Sequence, residues 1–97
     1  MDQHQGAGVA AAPAAVSVAT SATLITPKDS ARRSVVIYNN GSADVFLGGS
    51  GVTTATGLVL DPGGSFTDDV SISAWYGIVA SGTVEVRVAV VTDEVAD

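Results

Sequence analysis

Ser73-Ala-Trp-Tyr-Gly-Ile-Val-Ala-Ser-Gly-Thr-Val-Glu-Val-Arg-Val-Ala-Val-Val-Thr92 is the stretch whose reading decides the fold. Val84, Val86, Val88 and Val90 alternate with Glu85, Arg87 and Ala89, the period of two that belongs to a strand with one buried face. Ser81-Gly82 is a turn signal, because glycine reaches positive φ without a Cβ clash. The stretch therefore predicts a β-hairpin. With Ser81-Gly82 at its loop, Val79 faces Val84, Gly77 faces Val86 and Trp75 faces Val88 on one apolar side, while Ile78 meets Glu85 and Tyr76 meets Arg87 on the other. Trp75 is expected to fill the core, and Tyr76 with Arg87 to form a cation-π contact on the surface.

The same logic extends upstream. Ser34 to Gly48 predicts a second hairpin with Asn40-Gly41 at its tip, pairing Val36 with Val45, Tyr38 with Ala43, Val35 with Phe46 and Ile37 with Asp44. Both faces of that hairpin carry apolar residues, so its second side needs a cover, from this chain or from another. Leu58-Val59-Leu60 and Ser65-Phe66-Thr67 are short strands separated by the turn Asp61-Pro62-Gly63-Gly64. Val16 to Thr26 alternates small polar with β-branched residues and predicts strands at 16–20 and 23–26, the second ended by Pro27. About eight short strands, closely spaced turns and no helical periodicity give the fold class: an all-β domain, a small antiparallel β-sandwich or jelly roll, with an extended N-terminal arm. Its parts are an Ala-rich arm at 1–15, the sandwich at 16–92 and an acidic tail at 93–97.

Composition narrows the function. The 97 residues leave room for one modest core, and no cysteine is present to staple it or to act as a nucleophile. The net charge is -6, with Lys28, Arg32, Arg33 and Arg87 the only basic side chains. That balance argues against nucleic acid as a partner and against basic attachment to anionic lipid. No apolar run reaches the roughly 20 residues of a membrane-spanning helix. The Ala-rich start has Asp2 and His4 where a signal peptide has its basic region, so synthesis in the cytoplasm is expected. His4 is the only histidine and lies in the arm, which leaves no Ser-His-Asp arrangement and no ordinary zinc spacing. The glycines from Gly48 to Gly57 are not followed by Gly-Lys-Ser/Thr or by a helix, so they do not form a phosphate-binding loop. Asp68-Asp69 would converge on one cation only if the backbone turned there. No cofactor, no metal and no catalytic residues are expected.

Across residues 33–92, Arg-Ser-Val-Val-Ile-Tyr-Asn-Asn-Gly-Ser-Ala-Asp-Val-Phe-Leu-Gly, then Gly-Leu-Val-Leu-Asp-Pro-Gly-Gly-Ser-Phe-Thr, then Ala-Trp-Tyr-Gly-Ile-Val-Ala-Ser-Gly-Thr-Val-Glu-Val, the chain resembles small β-sandwich structural proteins of tailed bacteriophages, the capsid decoration (cement) proteins above all. The resemblance implies a non-enzymatic protein on the outside of a virion, bound to the major capsid protein and stabilising the shell as a homo-oligomer, commonly a trimer. Its alternative is a receptor- or carbohydrate-recognition module of a tail or fibre, with an internal virion or tail-tube component as a third possibility. On the capsid reading, Val9, Val16 and Val18 of the arm region and Lys28, Arg32 and Arg33 of the basic loop are the expected partner contacts, chosen from their composition and expected exposure.

Overall fold

A computed structural model describes the backbone of residues 8–10 and 12–93, with side chains from residue 12 onward. Within it the elements are β1 (Gly8–Ala10), β2 (Ala14–Val18), β3 (Thr23–Thr26), β4 (Arg32–Asn39), β5 (Val45–Gly48), β6 (Leu58–Leu60), β7 (Ser65–Asp68), β8 (Trp75–Ile78) and β9 (Val84–Asp93). The domain is all-β and antiparallel, as expected. Two sheets pack face to face. In sheet I, β9 lies between β4 and the short strands β2 and β1, and β7 flanks β4 on its far side; sheet II runs β3-β8-β5-β6. Taking β2 to β9 alone, the orders 2-9-4-7 and 3-8-5-6 are those of a jelly roll.

The core is the space between the sheets. Val18, Val35, Ile37, Val45, Leu47, Val79, Val84, Val86 and Val88 all point into it, and β-branched residues suit the pleated surface that each sheet presents. Burying a side chain of this size contributes about 1.5 to 3 kcal/mol. Gly77 lies among them because there is no room for more: an added Cβ would sit 2.8 Å from Ile25 Cδ1 and 3.2 Å from Val45 Cγ1.

The alternation identified the inward residues of β9 correctly, but the two hairpins do not form. β8 belongs to sheet II and β9 to sheet I, so Ser81-Gly82 carries the chain from one sheet to the other. Gly82 does adopt the positive φ that the turn requires, at 65°. Trp75 faces Thr26, Tyr76 faces Leu24 and Gly48, and Arg87 faces Ala15 and Tyr38, which removes the expected Tyr76–Arg87 contact. Asn40-Gly41 likewise links β4 of sheet I to β5 of sheet II, so Val36 faces Thr67 and Ala89 instead of Val45. The reason is that a strand has two edges. Both edges of β4 are taken, by β9 and β7, and both edges of β9 by β4 and the β1/β2 pair.

Asn39 ties this crossing down. Fully buried at the end of β4, it donates from Nδ2 to the carbonyls of Ala43 and Leu60, each at 2.8 Å, and accepts from the Gly41 amide at 2.9 Å. Its backbone also exchanges hydrogen bonds with Gly63 and Gly64. One side chain thus joins the β4–β5 and β6–β7 connections at one end of the sandwich.

Candidate functional surface

Alternation that sends Val45, Leu47, Gly77 and Val79 inward must send Phe46, Tyr76 and Ile78 outward. Ile78, Phe46 and Val59 lie directly opposite one another on three neighbouring strands, and Tyr76 faces Leu24 on β3. The outer face of sheet II is therefore a stripe of Leu24, Tyr76, Ile78, Phe46 and Val59, roughly 14 Å across at ordinary strand spacing. None of these side chains is charged. Leu24 is 45% exposed and Val59 57%, while the other three are half-buried by their neighbours.

Sheet I carries charged side chains on its outer face. Glu85 and Arg87 project outward from β9 and pair at 2.9 Å; the hydrogen bond from Arg87 holds the Glu85 carboxyl below its usual value. Tyr38 stands beside Arg87 on β4, half in solvent. The ion pair occupies one part of that outer face, which Val36, Ala89 and Val91 share by alternation; the stripe on sheet II contains no charged side chain.

Behind one end of the sandwich lies a buried polar cluster built around Asp68, the last residue of β7. Its Oδ1 accepts from the amides of Val70 and Ser71, both at 3.0 Å, an arrangement that bends the chain into the β7–β8 connection. Its Oδ2 accepts from the Trp75 indole at 2.8 Å, from the Ser71 hydroxyl and, at 3.5 Å, from Arg32 Nη2. Burial by itself pushes the Asp68 carboxyl up. The hydrogen bonds from Ser71, Trp75 and the two amides outweigh that and hold it at about 2, against an ordinary 3.8. Arg32 Nη2 also donates to the carbonyls of Ser71 at 3.1 Å and Ser73 at 2.8 Å, so the same pair clamps the whole connection. Trp75 is half-buried and packs edge-on against Phe66 with ring centroids 4.7 Å apart, so it lies against the margin of the core instead of filling it opposite Val88 as expected.

The residues expected to touch a partner are placed differently from one another. Arg32 is buried, with its guanidinium spent on Asp68 and on backbone carbonyls, so it does not stand on the surface as the loop reading supposed. Val18 is likewise wholly inside, because β2 pairs along β9 and turns this residue onto the core; Val16 packs half-buried beside it. Lys28 is exposed in the β3–β4 connection, and Arg33 is exposed with Asp93 at 3.7 Å. The backbone of Val9 pairs with Thr92 in β1, while its side chain lies outside the described residues, as do His4 and the tail from 94 to 97. Asp68 and Asp69 do not converge: Asp68 is turned inward with both oxygens occupied, and Asp69 is exposed.

Composition did not single out the stripe on sheet II. A signal for it was present, since Val45-Phe46-Leu47, Leu58-Val59-Leu60 and Tyr76-Gly77-Ile78-Val79 are apolar at successive positions and so carry apolar groups on both faces of one sheet. The Gly48–Gly57 connection is packed against the sheet: Val52 is buried, and Gly48 and Gly57 are small where they pass it. No family model matches the chain, and neither a curated protein nor a solved structure does.

Proposed function

We propose that this chain is a non-enzymatic virion structural protein that binds the outside of a phage capsid, in several copies, and stabilises contacts between major capsid proteins. The observation that carries this reading is the apolar stripe of Leu24, Tyr76, Ile78, Phe46 and Val59 on the outer face of sheet II. A sandwich with one such face gains burial by docking on a larger surface. The resemblance of residues 33–92 to decoration proteins supports the same role. Jelly rolls serve in viral shells and in lectins alike, so the architecture alone does not choose between them. The host cytoplasm would be the site of synthesis and the capsid surface the final location.

The test is reconstitution. Purified protein added to particles that lack it should bind in hundreds of copies and raise the temperature at which they release DNA; an unchanged release temperature would count against the role. Phe46 and Tyr76 on the exposed sheet favour a second reading, a carbohydrate-recognition module of a tail or fibre, because aromatic faces stack on sugars. That reading predicts a handful of copies per particle and measurable affinity for soluble glycans.

A further inference from the structure

The apolar stripe has an acidic end. Asp44 directly precedes Val45 on β5 and Asp61 directly follows Leu60 on β6, and Val45 and Leu60 are cross-strand partners. Continued one residue past the ends of β5 and β6, the alternation brings both carboxylates to the side of sheet II that carries Phe46 and Val59. Both are exposed, and among the described residues neither has a cation in an ion pair. Elsewhere the basic side chains are committed or remote from this end: Arg32 is buried with Asp68, Arg87 pairs with Glu85, Arg33 stands beside Asp93, and Lys28 lies past the opposite end of β3.

We infer that the outer face of sheet II is the docking face, and that its occupant is a protein surface with an apolar centre and basic residues at the rim that meets Asp44 and Asp61. Charge complementarity selects this occupant over a second copy of the chain. A copy brings its own pair of carboxylates and its own net charge of -6 to the contact, whereas a basic rim gains attraction and is steered into register. The five-residue stripe is also small beside the roughly 800 Å² per partner of a stable pairwise interface. Docking on a lattice, where one subunit touches several neighbours, suits a patch of this size. The inference deepens the adhesion reading and rests on it for the partner being a protein.

The experiment titrates the isotope-labelled full chain, by NMR, with two amphipathic peptides of equal length, one of leucine and lysine and one of leucine and glutamate. The lysine peptide is expected to shift the amides of 45–47, 59 and 76–78 and to bind at least tenfold more tightly than the glutamate peptide. Val59→Asp should weaken it about tenfold, and the double change Asp44→Asn with Asp61→Asn should erase most of the preference between peptides, with the preference shrinking as salt screens the charges. Thermal melts check that both variants fold. Equal response to the two peptides, or shifts confined to sheet I, overturns the inference. So do shifts on sheet II that appear with protein concentration alone, which would make a second copy the occupant, or with soluble glycans in place of the peptide. Because no particle enters this experiment, its result is separate from the reconstitution test of the capsid role.

Discussion

Arg32 and Asp68 meet at 3.5 Å inside the sandwich, with side chains 0% and 3% exposed, joining the start of β4 to the end of β7. Arg32 Nε has no hydrogen-bond partner among the described residues, so the pair is not without cost. Its main effect is geometric. Through Arg32 and Asp68 together, the β7–β8 connection is held by its carbonyls at Ser71 and Ser73 and by its amides at Val70 and Ser71.

Removing one member leaves the other charge buried and unpaired. Asp68→Ala is expected to lower unfolding free energy by about 3 to 5 kcal/mol, a large part of a small domain's total. Arg32→Met should cost a similar amount, and the double variant less than the sum. Chemical denaturation of the four proteins measures this; strict additivity would show that the two side chains act separately.

The low Asp68 pKa sets a pH dependence with a definite sign. Its folded value of about 2 lies below the ordinary 3.8, so the folded state favours the ionised carboxyl. The resulting stabilisation, on the order of 2 kcal/mol, is complete above about pH 5 and is lost as pH falls through 4 towards 2. Denaturation midpoints measured across that range should drop more steeply for the wild type than for Asp68→Asn. Parallel curves would remove Asp68 from the account.

Gly77→Ala tests the packing between the sheets. The new methyl would lie within 3.3 Å of Ile25, Val45 and Val18, three side chains of the core itself. Overpacking of this kind costs roughly 1 to 3 kcal/mol. A melting temperature unchanged within a degree would mean that the core is looser there than the distances imply.

Asn39→Ala tests the crossing between sheets. It strips the carbonyls of Ala43 and Leu60 and the amide of Gly41 of their partner in a buried place. A loss of about 2 to 3 kcal/mol is expected. Faster hydrogen exchange should accompany it at the amides of Gly41 and Gly63, the latter being bonded to the Asn39 carbonyl. Exchange rates equal to wild type would show that the backbone alone holds the two connections.

What the amino-acid order determined by itself was local. Alternation marked Val84, Val86 and Val88 as inward residues, and Gly63 and Gly82, both at positive φ, sit in turns that were recognisable from composition. These follow from the period of a strand and from the missing Cβ of glycine, which act over a few residues. Which strand lies beside which was decided by tertiary structure, because an edge already occupied by β7 or β2 cannot also accept the next strand in the chain. Packing of the two sheets also buried Arg32 and Val18, whereas the outward direction of Tyr76 and Ile78 was already legible in the alternation. A basic residue in a loop and a buried half of an ion pair look alike until Asp68, 36 residues away, is brought against it.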